Sequence, residues 1–175
     1  MIESKRLMLR KMTQDDFDAI AEMLRDAAVM YAWEHTFDDE GIREWIRRQM
    51  QRYETDGTAY LLAVDKQTGQ AVGQIGVLKE EIGGETAWGV GYLLNRKEWG
   101  KGYAAEGAKA CMDYAFSVLG AERVICDIRP SNTASIRVAE RLGMRQEGEF
   151  VKHYNGKDML HRIYAMHREQ WEETQ

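Results

Sequence analysis

Residues 95–107 read Asn-Arg-Lys-Glu-Trp-Gly-Lys-Gly-Tyr-Ala-Ala-Glu-Gly. The two glycines in the middle, Gly100 and Gly102, can adopt backbone angles that other residues avoid, and they let a ligand approach the main chain closely. Behind them, apolar residues recur at helical spacing as far as Phe116, which predicts a helix that begins directly after the glycines. Because a helix N-terminus offers unpaired N–H groups and a partial positive charge, the stretch predicts a phosphate-binding turn.

Two other phosphate-binding motifs and a bare turn compete with this interpretation. A P-loop would continue as Gly-Lys-Ser or Gly-Lys-Thr, whereas Gly107 is followed by Ala-Lys-Ala, so a P-loop is excluded. A dinucleotide-binding fingerprint asks for a small residue three positions after the second glycine. Ala105 satisfies that requirement, so this alternative stays open, as does a strand-to-helix turn without a ligand.

Three segments resemble the GCN5-related N-acetyltransferase (GNAT) family, and they occur in the family's order. Lys97-x-x-Gly100-x-Gly102, followed by Tyr-Ala-Ala-Glu, resembles the acetyl-CoA pyrophosphate loop, with Lys97 where the family usually has Arg or Gln. Residues 132–144 are similar to the family's Asn-x-x-Ser…Glu-Lys-Leu-Gly-Phe segment. Residues 2–10 resemble the opening of the branch that contains ribosomal-protein N-terminal acetyltransferases.

The resemblance implies a mixed α/β fold with an antiparallel N-terminal meander, a central βαβ unit with splayed parallel strands, and a C-terminal hairpin. Periodicity, caps and turn residues indicate the elements from the residues themselves. They predict helices over residues 17–24, 39–53, 103–116 and 132–142, and strands near residues 7–9, 60–64, 71–78, 86–94, 123–128, 147–154 and on to 166. No linker or repeat interrupts the pattern, so we predict a single domain over residues 1–175.

Composition places the chain among ordinary soluble proteins. It has 175 residues, of which 44% are apolar and 30% charged, without a signal-peptide pattern or a membrane-spanning run. The net charge of −5 argues against a general nucleic-acid binder, and no membrane partner is expected. Cys111 and Cys126 lie in apolar contexts typical of reduced core residues, so we predict a cytoplasmic protein, either a monomer or a homodimer.

The resemblance also implies an acetyl-CoA site. Gly89 and Gly91 interrupt a predicted strand, and glycine inside a strand often marks a bulge or a close approach by a ligand. In the family the equivalent strand is bulged and splays from its parallel neighbour, and the pantetheine arm lies in the gap. Lys97 and Lys101, with Arg96, are expected to follow the phosphates. The implied acetyl-CoA contacts are Tyr92, Leu93, Leu94, Lys97, Gly100, Lys101, Gly102, Tyr103, Ala104, Asn132 and Ser135.

Acetyl transfer from a thioester to an amine requires a neutral amine, a polarised carbonyl group and a proton for the departing thiolate. The resemblance implies that a backbone N–H near Leu93 or Leu94 polarises the carbonyl group. Ala139 stands where many relatives carry a proton-donating tyrosine, so the resemblance implies Ser135 as the acid, with Asn132 orienting the pantetheine or the helix start. Helix capping is the alternative role for both residues.

Other candidate residues are fewer. Gly89 stands where relatives often carry a glutamate, and the nearby Glu85 and Glu98 are more typical of solvated loop charges, so the general base stays unassigned. Trp33 is predicted to line the acceptor pocket, whereas Trp45 lies on an apolar helical stripe that is typical of the core. The four histidines lack metal-ligand spacing, so no metal site is predicted.

The predicted function is therefore N-acetyl transfer from acetyl-CoA to a primary amine by direct attack in a ternary complex. The acceptor is a protein N-terminus or a small amine. A catalytically inactive CoA-binding regulatory module is the alternative that Gly89 and Ala139 leave open. A nucleotide-binding protein that uses the same glycine turn would bind ATP or NAD as well as CoA.

Overall fold

A computed structural model describes residues 1–175 and shows one mixed sheet of eight strands. The strands are β1 (Ile2–Glu3), β2 (Leu7–Arg10), β3 (Tyr60–Asp65), β4 (Ala71–Ile82), β5 (Glu85–Leu94), β6 (Arg123–Ile128), β7 (Arg145–Tyr154) and β8 (Lys157–His167). The helices are α1 (Phe17–Leu24), α2 (Asp39–Thr55), α3 (Tyr103–Ser117), α4 (Thr133–Arg141) and α5 (Arg168–Glu173). The sheet order β1-β2-β3-β4-β5-β6-β8-β7 confirms the predicted mixed α/β fold.

The two ends of the sheet are antiparallel, as the sequence predicts. Strands β1 to β5 form a meander in which each strand runs antiparallel to the one before it. Strands β7 and β8 form the closing hairpin, which turns at Asn155-Gly156, where both residues have positive φ angles of 52° and 75°. Asn-Gly suits such a turn because both residues tolerate left-handed backbone angles.

The centre of the sheet is split. Strands β5 and β6 are parallel and pair only through Trp88 with Val124 and Gly89 with Ile125, after which they diverge. This confirms the predicted splay of the two parallel strands. The predicted bulge in β5 is wrong, however, because its pairing with β4 runs without a register shift from Ile82 and Glu85 at the turn to its far end.

Helices cover both faces of the sheet. Successive residues of a strand point to opposite faces, and β4 shows which helix lies on which side. The Trp45 indole of α2 donates a hydrogen bond of 2.8 Å to the Gln74 amide oxygen. The next residue, Ile75, packs against Gly107 of α3 on the other face. Trp45 is buried in the main apolar cluster, which confirms its predicted place in the core.

Local signals explain where most elements begin. The predicted capping box of Thr13 and Asp16 forms directly before α1, and the Asp38 side chain caps α2 by accepting from the Gly41 N–H. Three features were not predicted: the short strand β1, the helix α5, and the extension of β4 beyond Leu78 to the turn. Cys111 and Cys126 are buried free thiols, as predicted. No helix combines the length and the apolar character needed to cross a membrane.

Candidate active site

The predicted phosphate-binding turn leads directly into α3. Gly100 and Gly102 adopt φ angles of 79° and 81°, in the left-handed region that favours glycine. Gly102 is the N-cap residue of α3, and no side chain caps the helix there. The glycines therefore bring the chain into the helix without placing a side chain over its N-terminus.

The backbone N–H groups of this turn are free. The first main-chain hydrogen bond of the helix runs from the Glu106 N–H to the Gly102 carbonyl oxygen, at 3.1 Å. The six N–H groups of residues 100–105 have no acceptor within the protein. They lie at the positive end of the helix dipole, where an anion with several oxygens is stabilised. A diphosphate matches this arrangement.

Side chains around the turn are held away from these N–H groups. The Tyr103 hydroxyl donates a 2.6 Å hydrogen bond to Asp65, and this bond is the main reason that the pKa of Asp65 is lowered. The Glu106 carboxylate accepts hydrogen bonds from the Arg6 N–H and the Ser4 hydroxyl, each 2.7 Å long. These contacts fix the first turn of α3 against the N-terminal strands, so Tyr103 contributes its main chain and not its ring to the site.

A cleft of about 650 Å³ begins at this turn and extends past the end of β5 to the start of α4. That volume is ordinary for a small-molecule site. Ten of the twelve residues that the sequence placed in the site line it: Trp33, Tyr92, Leu93, Leu94, Gly100, Gly102, Tyr103, Ala104, Asn132 and Ser135. The other two, Lys97 and Lys101, lie outside it.

The basic residues near the turn engage carboxylates elsewhere. Lys97 pairs with Glu22 at 3.1 Å and Lys101 with Glu98 at 2.9 Å, while Arg96 pairs with Asp26. These three side chains were expected to contact the phosphates, but in the structure each one is paired with a carboxylate of the protein.

Two arginines that the sequence analysis missed line the cleft instead. Arg137 and Arg141 lie four residues apart on α4, so they share one face of the helix. Neither forms an ion pair or a side-chain hydrogen bond within the chain. The sequence shows only that these two arginines follow Asn132 on the same predicted helix. That position indicates a role in binding only when α4 is known to line the cleft.

The main chain of β5 presents alternate residues to the gap. The Asn95 N–H donates to the Val72 carbonyl oxygen at 2.9 Å, so the backbone of Asn95 faces β4. Alternation then directs the N–H groups of Leu94 and Tyr92 into the gap and those of Leu93 towards β4. The Leu94 carbonyl oxygen already accepts a 3.1 Å hydrogen bond from the Trp99 indole. Of the two residues that the sequence left open as donors to the carbonyl group, only Leu94 directs its N–H group into the gap, and its role stays a prediction.

The start of α4 forms the opposite wall of the cleft. The Asn132 side chain accepts the Ser135 N–H at 3.3 Å, so Asn132 is the cap of the helix. The Ser135 hydroxyl makes no hydrogen bond within the protein, while its carbonyl oxygen accepts from the Tyr92 hydroxyl at 2.8 Å. Burial raises the pKa of Tyr92, so this phenol keeps its proton and ties α4 to β5. This contact could not be predicted from the sequence, because the two residues are 43 positions apart.

The far wall of the cleft is formed by the segment between α1 and α2. Trp33 lines it, and its ring packs edge-on against Trp45 with 6.3 Å between the centroids. Glu34 pairs with Arg129 at 3.2 Å, which joins this segment to the end of β6. Trp33 therefore lies where the cleft meets the α2 side of the sheet, and its role beside an acceptor stays a prediction.

A split sheet with a turn of free N–H groups beside it is suited to bind a coenzyme through its phosphates. The comparisons with known proteins name the family: the sequence profile of the acetyltransferase (GNAT) domain matches residues 6–145. The chain belongs to the GCN5-related N-acetyltransferase family. Since this family takes acetyl groups from acetyl-CoA, the chain is an acetyl-CoA-dependent acyltransferase.

Individual proteins are similar to this chain in sequence or in fold. The Bacillus subtilis protein YkkB is 36% identical over 140 residues, which cover 79% of this chain and 81% of YkkB. The crystal structure of a GNAT-family acetyltransferase from Bacillus anthracis is 30% identical, with a TM-score of 0.82 over 96% of this chain and 98% of that one. A ribosomal-protein-S5-alanine acetyltransferase from Vibrio fischeri shares the fold at 22% identity, with a TM-score of 0.75 over 97% of both chains.

Proposed function

We propose that this protein transfers the acetyl group of acetyl-CoA to a primary amine, a protein N-terminus or a small amine, by direct attack in a ternary complex. The proposal depends most on the six free N–H groups of residues 100–105 at one end of the cleft. They fit the diphosphate of the coenzyme. The cleft then leads from that turn, past the end of β5, to Trp33, where an acceptor can enter.

Each wall of the cleft has a role in this reaction. Acetyl-CoA supplies an activated acetyl group as a thioester. The N–H groups of Leu94 and Tyr92, directed into the gap, can bind the amide groups of the pantetheine arm and polarise the carbonyl group. The Ser135 hydroxyl, free of any partner in the protein, is positioned to give a proton to the departing thiolate.

The test is CoA release with a panel of acceptors, which includes peptides that begin with alanine or serine and small primary amines. We expect acetylation of some amine, with intersecting initial-velocity lines because both substrates must be bound together. Calorimetry with ATP and NAD runs in parallel. Equal affinity for ATP, NAD and CoA would favour a nucleotide-binding protein, and tight acetyl-CoA binding without any acetylation would favour an inactive regulatory module.

Replacement of the proposed acid tests the role of α4. We expect Ser135→Ala to lower kcat by about 100-fold with little change in acetyl-CoA affinity, since general acid catalysis contributes on this order. The helix should remain intact because Asn132, not the Ser135 hydroxyl, caps it. Ser131→Ala removes another hydroxyl of the cleft that lies outside the helix, and it serves as the control. Full turnover of Ser135→Ala with an unchanged pH–rate profile would show that Ser135 is not the acid.

A charge-matched pair of double variants tests which cations face the coenzyme. We expect Arg137→Gln/Arg141→Gln to weaken acetyl-CoA binding by roughly tenfold and to reduce its dependence on salt, because exposed charges act on an anion through a screened field. Lys97→Gln/Lys101→Gln removes the same charge from outside the cleft and should leave the affinity nearly unchanged. Calorimetry with acetyl-CoA at two ionic strengths measures both affinities. A larger loss of affinity in the lysine variant than in the arginine variant would contradict the assignment of the arginines to the coenzyme site.

A further inference from the structure

On the α2 side of the sheet, β5 has no side chains at the two glycine positions where it begins to separate from β6. Gly89 and Gly91 both face that side, and neighbouring strands fill the space above them. A Cβ placed on Gly89 would lie 3.2 Å from the carboxyl carbon of Glu80, which extends from β4. A Cβ placed on Gly91 would lie 2.6 Å from the hydroxyl oxygen of Tyr60, which extends from β3. The two glycines thus admit a carboxyl group and a phenol to the edge of the gap.

A second carboxyl group reaches the same place from the other side of the split. Asp127 lies on β6, two residues beyond Ile125, the last residue of β6 paired with β5. Its side chain is only 11% exposed and lies 3.3 Å from the Lys152 ammonium group. Asp127 lies close enough to Glu80 for its charge to raise the pKa of the Glu80 carboxyl group.

Of these two carboxyl groups, Glu80 is the one that is protonated. Burial and the neighbouring Asp127 raise the pKa of Glu80 to about 8. Burial alone would raise the pKa of Asp127 as well, but the charge of Lys152 holds it below its ordinary value. Two like charges this close cannot both ionise easily, and the member without a cation keeps the proton. Glu80 therefore changes charge in the neutral to mildly alkaline range.

The other charged groups around Glu80 have partners of their own. Arg52 of α2 donates to the Lys79 carbonyl oxygen at 2.9 Å and pairs with Asp56 at 3.3 Å. His161 of β8 contacts the Met159 carbonyl oxygen at 3.0 Å through Nδ1, and burial lowers its pKa. Neither one neutralises Glu80 through a direct contact.

Tyr60 supplies an independent sign that this place receives a ligand. The residue is 9% exposed, and its hydroxyl group has no hydrogen-bond partner in the protein. The hydroxyl oxygen is not among the fully buried polar atoms without a partner, so it reaches space that water or a ligand can occupy. Burial raises the pKa of Tyr60, so the phenol stays protonated and available as a donor.

We propose that Glu80 is the catalytic base of this enzyme, that Asp127 is its positioning residue, and that the Tyr60 hydroxyl orients the acceptor. The inference rests on the proposed function. In the step, the amine nitrogen forms a bond to the acetyl carbon and the carbon–sulfur bond breaks. The proton lost by the nitrogen passes to the Glu80 carboxylate. The thiolate takes a proton from the Ser135 hydroxyl, which solvent then reprotonates.

The primary test is Glu80→Gln, which keeps the size of the side chain and removes its basicity. The acceptor is the amine of the panel that releases CoA fastest. We expect kcat/KM to fall by about 100-fold and its rise with pH to disappear, while acetyl-CoA affinity stays the same. Glu81→Gln is the matched control, because Glu81 points to the opposite face and bonds to Thr86 at 2.7 Å. A Glu80→Gln enzyme that keeps its turnover and its pH profile would overturn the proposal.

A second experiment moves the carboxyl group from position 80 on β4 to position 89 on β5. It distinguishes a catalytic role of Glu80 from a role in packing. The three atoms nearest to a Cβ on Gly89 all belong to Glu80, so Glu80→Ala makes room for a side chain there. We expect Glu80→Ala/Gly89→Glu to recover at least about tenfold of the activity that Glu80→Ala loses. Absence of recovery in a folded double variant that binds acetyl-CoA would mean that Glu80 has a structural role, against the proposal.

A titration without any acceptor distinguishes the failure of this inference from that of the proposed function. Carbon-13 NMR of glutamate-labelled protein, with Glu80→Gln as the assignment control, follows the Glu80 carboxyl group directly. We expect a raised pKa that shifts in Asp127→Asn; an ordinary pKa would overturn the inference even if amines are acetylated. Failure of the whole amine panel would instead refute the proposed function, and the titration would then decide the ionisation of Glu80 alone.

Discussion

Gly102→Val should abolish measurable acetyl-CoA binding. Gly102 has a φ angle of 81°, and a β-branched residue at this angle is strained by about 1–3 kcal/mol. The turn would relax and move the free N–H groups of residues 100–105 away from the diphosphate. A hydrogen bond to a charged group contributes at least about 1.5 kcal/mol, so losing two of them weakens binding by about 100-fold or more. Titration calorimetry with acetyl-CoA measures the effect.

A second glycine controls for the strain itself. Gly57, at the end of α2, has a φ angle of 80° and no heavy atom within 4 Å of an added Cβ. Gly57→Val should therefore lower the stability of the protein by a similar amount and leave acetyl-CoA affinity unchanged. If Gly102→Val binds acetyl-CoA as tightly as the parent protein, residues 100–105 do not hold the diphosphate.

Of the substitutions predicted here, Gly76→Ala should cause the largest decrease in the free energy of unfolding. A Cβ on Gly76 would lie 2.1 Å from the Ala59 carbonyl oxygen and 2.8 Å from the Tyr60 Cα. Both are backbone atoms, which cannot turn aside as a flexible side chain can. Strands β3 and β4 would have to separate, and overpacking of this kind costs about 3 kcal/mol. Because Gly76 also pairs with Gly91, the shift would displace Tyr60 from its place above the split.

Urea unfolding measures this loss as a change in the midpoint at constant slope. Gly148→Ala in β7 is the matched control, because an added Cβ there meets nothing within 4 Å. That variant should stay within about 0.5 kcal/mol of the parent protein, as surface substitutions usually do. A Gly76→Ala protein of parental stability would show that the two strands are not packed this closely.

Much of the fold could be predicted because its signals are local. The Asn155-Gly156 turn, the Asp38 and Asn132 caps and the glycines before α3 each act over a few residues, and each lies where the sequence predicts. The end of β4 was predicted too early, because Lys79, Glu80 and Glu81 break the apolar pattern. Pairing with β5 carries the strand on to the turn.

The contents of the site were harder to predict, because they depend on contacts between distant segments. Basic residues beside a phosphate-binding turn are expected to face it, yet Lys97 reaches Glu22, 75 positions away in a chain whose sequence does not reveal that contact. Arg137 and Arg141 line the cleft only because α4 forms one of its walls. Glu80 lay beyond the predicted end of β4, so its direction could not be inferred.

The position of Glu80 above Gly89 affects how relatives of this protein are judged. A residue on either of two adjacent strands can place its carboxyl group at the same point in space. A single column of a sequence alignment, however, covers a position on only one of those strands. A chain that has glycine in the expected column can be labelled a pseudoenzyme although the group is supplied by the neighbouring ribbon. Active and inactive members of a family should therefore be distinguished by the positions of their functional groups in superposed structures. A functional group can come from a different alignment position and still reach the same reaction centre.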